Sequence, residues 1–168
     1  MDEEQHRIRS YLQAQAAKLS VPELVAKVRA DQEQVRVAAL AVPPARFATR
    51  PADGAWSANE VLAHVVESGA TVAAAIRAVL DGGPPPERLA DRVQAARRST
   101  ALAWWQRLVA DREALFARVL RADPDARLDV RWQHPFFGGL NWREWLLFLR
   151  LHDLDHARQL QAIAAALG

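Results

Sequence analysis

Three capping-box sequences divide this chain into helix-forming segments. Each places a serine or an asparagine three residues ahead of a glutamate, at Ser20–Glu23, Ser57–Glu60 and Asn141–Glu144. In a capping box, two backbone N–H groups that the start of a helix leaves unpaired donate hydrogen bonds to the two side chains. The sequence therefore predicts that a helix begins at each of these three points.

Strong stop signals follow two of the predicted starts. Pro43 and Pro44 end the helix that begins near residue 21, because proline lacks the N–H group that a helix interior needs. The run from Asp81 to Pro86 consists of one aspartate, two glycines and three prolines, and it ends the next helix near Leu80. The helices on either side of these breaks must therefore fold back on one another.

Apolar residues at helical spacing complete the predicted set of helices. The predicted helices cover residues 3–18, 21–42, 57–80, 99–121 and 141–167. Segment 87–98 is compatible with a short helix or an ordered excursion, and the strand-like stretch Leu128–Trp132 is too short and isolated to build a sheet. We predict an all-α fold, a four-helix bundle with an additional peripheral N-terminal helix within residues 1–19, in a single domain over residues 1–168.

The composition supports this fold and excludes several functional classes. Hydrophobic residues make up 51% of the 168 residues and glycines number only 7, which favours helix over strand. The net charge is +2 with scattered basic residues, so we expect no nucleic-acid partner. The chain begins with acidic residues and its apolar runs are far shorter than the roughly 18 residues of a membrane span. We therefore expect a cytoplasmic protein without a membrane partner.

Two histidines lie one turn apart on the inward face of the last predicted helix. His152 and His156 have the spacing i, i+4, which brings two imidazoles within reach of one divalent cation. Phe148 and Leu160 continue the same stripe, so the pair is expected to face the bundle interior. A structural alternative is that both rings lie in the core and form hydrogen bonds with carbonyl or carboxylate groups.

A third histidine makes a metal site the preferred interpretation. His64 lies about two turns after Ser57 in the helix over residues 57–80, among apolar neighbours. Three protein ligands hold a catalytic zinc and leave a position for water or substrate. We therefore predict that His64, His152 and His156 bind one divalent metal ion.

Other titratable residues near these histidines are weaker candidates. His6 is expected to be solvated, and His134 is expected in a loop because Pro135 follows it, with a place at the mouth of the site as the alternative for either residue. Asp153 and Asp155 flank the histidine stripe, so we expect roles in solvent, in capping or in orienting a ligand rather than direct ligation. Glu60 and Glu67, one turn either side of His64, are expected on the surface or, for Glu60, in the cap, and the alternative is that they orient the His64 ring or accept a proton.

Together these motifs resemble those of the DinB/YfiT-like superfamily of metalloenzymes. Members carry a Trp-Ser-x-x-Glu helix start followed by a histidine, here Trp56–Glu60 and His64. They also carry a terminal His-x-x-x-His-x-x-Gln pattern, here His152–Gln159, and a lead-in similar to His134–Gly138 ahead of Asn141–Trp145. The resemblance spans residues 21–167 and implies a four-helix bundle of the DinB/YfiT type.

The resemblance also implies a cofactor and a reaction class. It implies a divalent metal, zinc or nickel, held by the three histidines, a low-molecular-weight thiol as a possible co-substrate, and a homodimer. Since the chain contains no cysteine, any thiol comes from outside the protein. We expect transfer of that thiol to a small electrophile. The alternatives are a metal-dependent hydrolase and a non-catalytic ligand-binding or stress-related bundle, and the catalytic residues other than metal ligands are not identified.

Overall fold

The structure, a computed structural model, describes residues 1–87 and 97–168. Its described residues form five α-helices, α1 Glu3–Lys18, α2 Val21–Ala41, α3 Ala58–Leu80, α4 Ala101–Leu120 and α5 Trp142–Leu167. A 3-10 turn, Pro44–Arg46, lies between α2 and α3. The mostly helical fold and the four long helices agree with the prediction, and most of segment 87–98 lies outside the described residues.

All three predicted capping boxes are formed. The Ser57 hydroxyl accepts a hydrogen bond from the Glu60 backbone N–H (3.2 Å), and the Glu60 carboxylate accepts one from the Ser57 N–H (2.8 Å). The boxes at Ser20 and Asn141 have the same reciprocal pairs. These contacts depend only on residues three apart, so the helix starts follow directly from local sequence.

The core runs along α5, which packs against both α2 and α3. One end of the core is built around the fully buried rings of Trp142 and Trp145, and the other around Val35, Leu62 and Leu160. The added helix α1 packs on α5, and its Leu12 side chain is completely buried. The bundle therefore holds α3 and α5, the two helices that carry the predicted ligands, side by side.

The strand prediction at Leu128–Trp132 is wrong in position, and the prediction that this region builds no sheet is also wrong. The strands are β1 Trp132–His134 and β2 Gly138–Leu140, which pair antiparallel with Trp132 opposite Leu140. Gly138 has a φ of +72°, a backbone conformation that residues with a side chain rarely adopt. This conformation allows the chain to reverse direction between the two strands. His134, predicted in a loop, is thus the last residue of β1, and residues 135–137 form the turn of a hairpin that leads into α5.

Helix α3 is the one described helix that is long and apolar enough to cross a membrane. In the bundle, however, 56% of its apolar window is buried against the other helices. Length and composition alone do not distinguish a core helix from a membrane span, so this is weak support for a membrane protein. Its apolar character is accounted for by its place in the core.

Candidate metal centre

The bundle brings His64, His152 and His156 together. His64 comes from α3, and the other two come from successive turns of α5. The Nε2 atom of His152 lies 3.1 Å from Nε2 of His64 and 3.2 Å from Nε2 of His156. One ligand nitrogen from each of the three rings lies within 4.8 Å of the others.

This arrangement fits a single divalent cation. At metal–nitrogen bonds of about 2.0–2.1 Å, ligand nitrogens are about 3.3 Å apart around a tetrahedral ion and about 2.9 Å apart around an octahedral one. The two Nε2–Nε2 separations observed here, 3.1 and 3.2 Å, fall between these values. Hydrogen bonding among the rings is a poorer solution, because the Nε2 of His152 cannot be a donor to one ring and an acceptor from the other at once.

Neighbouring groups orient these rings. Gln159 Oε1 lies 2.8 Å from Nδ1 of His156, so that nitrogen carries the proton and the Nε2 lone pair faces the other histidines. The Trp56 ring packs edge-on against His64, with ring centres 5.2 Å apart. Burial, and then the nearby His156 and His64, lower the pKa of His152 well below its usual value, which favours the neutral form that a metal ligand needs.

A cavity of about 540 Å³ opens beside the three rings. Its wall includes all three histidines together with His134, Phe136 and Phe148. Catalytic metal sites keep a coordination position free beside space for a substrate, whereas structural sites are closed by protein ligands. The arrangement can therefore place a small molecule next to a bound ion.

Comparison with known proteins identifies the family. The profile of the DinB superfamily matches residues 27–160, which is most of the chain. The chain belongs to the DinB superfamily. No protein of curated function matches its sequence.

Solved structures share the fold of this DinB superfamily chain. TT2238, described as a four-helix bundle protein, is 25% identical, with a TM-score of 0.61 over 85% of this chain and 99% of its own. YfiT from Bacillus subtilis is 14% identical, with a TM-score of 0.64 over 84% of this chain and 86% of its own. It is described as a probable metal-dependent hydrolase with an unusual four-helix bundle topology.

A third similar structure is a point mutant of the mycothiol-dependent maleylpyruvate isomerase. It is 14% identical, with a TM-score of 0.64 over 91% of this chain and 62% of its own. At this level of identity the likeness supports the fold. The four-helix bundle of DinB/YfiT type predicted from the sequence is confirmed by these structures and by the family profile.

Asp153 is not a solvent or capping residue in this DinB bundle. Its side chain is completely buried on α5 and accepts two hydrogen bonds from Arg112 of α4, at 2.9 and 2.8 Å. Burial raises the pKa of the Asp153 carboxyl, and the Arg112 guanidinium acts in the opposite direction. The pair ties α4 to α5 at the level of His152. Arg112 lies on the apolar stripe of α4 between Leu108 and Leu115, and that position was the available sequence signal.

The remaining candidates lie away from the three nitrogens. Glu60 forms the predicted cap and an ion pair with Arg50, and together they lower the pKa of its carboxyl to about 2. Glu67 and His6 are exposed, as predicted. Asp155 is also exposed and stands at the cavity wall.

His134 is the functional candidate that sequence reasoning underrated. It lies at the end of β1 rather than in a free loop, is only 7% exposed, and contributes to the cavity wall. Its pKa is lowered to about 4 because the ring is buried. The sequence signal was the short spacing of His134, Pro135 and Gly138, which can close a hairpin but does not show where the ring points.

Proposed function

We propose that this DinB superfamily member is a metal-dependent enzyme. In this proposal His64, His152 and His156 hold one divalent cation, zinc or nickel, and a small thiol is transferred to an electrophilic substrate in the adjoining cavity. The observation that carries the proposal is the convergence of three Nε2 atoms at the wall of that cavity. Nε2 of His152 lies 3.1 Å from Nε2 of His64 and 3.2 Å from Nε2 of His156.

The chain's own residues have distinct parts in this proposal. The three neutral imidazoles would hold the divalent cation, which would supply acidification of a thiol or water and so a nucleophile at neutral pH. Gln159 holds the tautomer of His156 in which Nε2 is free to ligate. Aromatic side chains in the wall, including the buried Phe137 and the part-buried Phe148, limit water around the reacting groups. The thiol comes from solution, because the chain has no cysteine.

A metal-dependent hydrolase is the second candidate. The observation that favours it is the description of Bacillus subtilis YfiT, a structure with the same fold, as a probable metal-dependent hydrolase. The same three histidines would serve that reaction, with water in place of the thiol. A non-catalytic bundle with a structural metal, by contrast, would have a closed coordination shell without an open position beside the cavity.

Metal content tests the ligand assignment. Purified wild-type protein, His156→Ala and the control His6→Ala are dialysed against zinc or nickel and measured by elemental analysis. We expect about one ion per chain in the wild type and in His6→Ala, because His6 is exposed on α1, and loss of the ion in His156→Ala. Equal metal content in all three proteins would remove the proposed centre.

Thiol dependence tests the reaction class. Zinc- or nickel-loaded protein is assayed with a reporter electrophile, with several low-molecular-weight thiols and without thiol, before and after treatment with a chelator. We expect turnover that requires both thiol and metal. Metal-dependent turnover of an ester without thiol would favour the hydrolase, and turnover that survives metal removal would contradict both enzymes.

The proposed homodimer and the cytoplasmic location remain predictions. The same is true of a small-molecule partner and of the absence of nucleic-acid and membrane partners. Light scattering of the purified full chain after size-exclusion chromatography measures the molar mass, and about twice the monomer value of 18.7 kDa is expected. A single species at the monomer mass over a range of concentrations would contradict the dimer.

A further inference from the structure

His134 has two ring nitrogens in different environments. Its Nδ1 accepts hydrogen bonds from the backbone N–H groups of Phe136 and Phe137, at 3.1 and 3.3 Å. A nitrogen that accepts from N–H groups carries no proton, so the neutral ring must carry its proton on Nε2. The turn after β1 therefore selects one tautomer of His134.

The Nε2–H group of this tautomer is available to a ligand. Among residues 1–87 and 97–168, no group accepts a hydrogen bond from Nε2, although the side chain is more than nine-tenths buried. The same ring forms part of the cavity wall that holds the three clustered histidines. Since Nε2 is not one of the polar atoms sealed in the core without a partner, it is open to the cavity, where water or a ligand can accept its hydrogen bond.

Aromatic rings hold His134 in position. The ring stacks on Phe137 with centres 4.4 Å apart and meets the edge of Phe148 at 4.5 Å. Phe148 in turn lies 5.7 Å from His152, so one ring separates His134 from the clustered histidines. These apolar neighbours disfavour a charged imidazole, and burial accordingly lowers the pKa of His134 to about 4. At neutral pH the group is an uncharged donor with a fixed direction.

We propose that Nε2–H of His134 donates a hydrogen bond to a carbonyl oxygen of the substrate, and that the substrate is a small, flat, apolar molecule bearing that carbonyl. The substrate assignment rests on the proposed function, because it identifies this molecule with the electrophile beside the three histidines. The hydrogen bond itself needs only the cavity and the ring. His134 is thus a substrate-binding residue.

The charges around the cavity favour a neutral acceptor over an anionic one. The charged side chains in its wall are Glu4, Asp155 and Arg158, so acidic groups outnumber basic ones. Among the chain's own side chains only Arg158 offers a positive charge in this wall, so a carboxylate bound at His134 in the metal-free protein would lose water with little compensating charge, which is costly in an apolar site. A ketone or aldehyde oxygen accepts the same hydrogen bond without that cost, and the aromatic wall suits a flat apolar body.

Two substitutions separate the proposed role from a purely structural one. In His134→Asn, the amide oxygen can replace Nδ1 as acceptor for the turn, but the donor at Nε2 is lost. In His134→Gln, the amide nitrogen can replace the Nε2 donor, but the acceptor for the turn is lost. Both variants lose the aromatic ring, so each is a control for the packing effect of the other.

The probes are acetophenone, which carries a carbonyl on a flat apolar body, and ethylbenzene, which lacks the carbonyl. Their affinities for the full-length wild type and both variants are measured by ligand-observed NMR titration, alongside the thermal unfolding midpoint. We expect the ratio of acetophenone to ethylbenzene affinity to fall about three- to tenfold in His134→Asn and to stay near the wild-type value in His134→Gln. The ratio cancels changes in apolar packing that affect both probes.

The opposite result would overturn the proposal. If the ratio is unchanged in His134→Asn, or falls as far in His134→Gln as in His134→Asn, His134 only closes the turn. The titrations are run on metal-free and zinc-loaded protein, since the hydrogen bond does not need the ion. Failure of zinc binding would then count against the proposed function, whereas an unchanged ratio with zinc bound would count against His134 alone.

Discussion

Residues 152 and 153 are neighbours on α5, yet the polar group of one lies at a cavity and that of the other is paired in the core. Asp153 faces α4, where both of its carboxylate oxygens accept hydrogen bonds from Arg112 and no part of the side chain is exposed. His152 faces α3 and a cavity, with its Nε2 directed at two other imidazole nitrogens. A buried ion pair links two helices, whereas imidazole nitrogens that converge beside a cavity are suited to bind a ligand.

Breaking the buried ion pair of Arg112 and Asp153 should give the largest effect. Asp153→Ala leaves the Arg112 charge buried without a partner, since the two side chains are 1% and 0% exposed. We expect a loss of about 3–5 kcal/mol in the free energy of unfolding, measured by chemical denaturation. The double variant Arg112→Met with Asp153→Leu should recover most of that loss. A loss below about 1 kcal/mol in Asp153→Ala would show that the pair is not sealed from water.

Removing one clustered histidine should affect ligand-linked stability instead. In metal-free protein we expect His156→Ala to change the free energy of unfolding by less than about 1 kcal/mol. Zinc at 100-fold above its dissociation constant should stabilise the wild type by about 2.7 kcal/mol and leave His156→Ala unchanged. Thermal unfolding with and without zinc measures both quantities. Equal zinc stabilisation in the two proteins would place zinc elsewhere.

The hydrogen bond behind the cluster should have a smaller effect on the same property. Gln159→Ala removes the acceptor 2.8 Å from Nδ1 of His156 without removing a ligand. We expect zinc affinity to fall about 10- to 100-fold, measured by competition with a chromophoric chelator. Gln161→Ala, an exposed position on the same helix, is the matched control and should leave the affinity unchanged. An equal loss in both variants would indicate a general effect on α5.

Changing the cap of α3 should have the smallest effect on the free energy of unfolding, and the pH dependence of that effect tests the role of the Glu60 charge. The ion pair with Arg50 and the capping contacts lower the pKa of Glu60 from 4.5 to about 2. A carboxyl with a depressed pKa stabilises the fold above its unfolded pKa, and this contribution is lost as pH falls from about 4.5 towards 2. We expect Glu60→Gln to cost about 1 kcal/mol at pH 7 and nothing near pH 2. Chemical denaturation across this pH range is the measurement, and a cost independent of pH would contradict the role of the charge.

Local features of this molecule could be predicted well. The capping boxes at Ser20, Ser57 and Asn141 join residues three apart, and the pairing of His152 with His156 depends on one helical turn. The prediction of His64 as the third ligand needed more than local spacing, because His64 lies on a different helix from the other two. That prediction relied on the apolar neighbours of His64 and on the number of ligands that a metal needs.

Long-range pairings could not be predicted in the same way. Arg112 and Asp153 are 41 residues apart, and helical periodicity gives the direction of a side chain without naming its partner. The hairpin was not predicted for a related reason. Strand pairing between 132–134 and 138–140 depends on the backbone conformation of Gly138 and on packing against α1 and α5, and not only on β-forming residues.

The sequence by itself determined where the helices begin and end, and it identified three histidines as a candidate site. The physical reason is that caps, stop signals and i, i+4 neighbours act within a few residues. Only the tertiary structure decided that Asp153 is neutralised by Arg112, that three imidazole nitrogens meet at a cavity, and that the His134 ring lies in its wall. Those outcomes depend on how helices and the hairpin pack, which is the sum of many contacts between residues far apart in the chain.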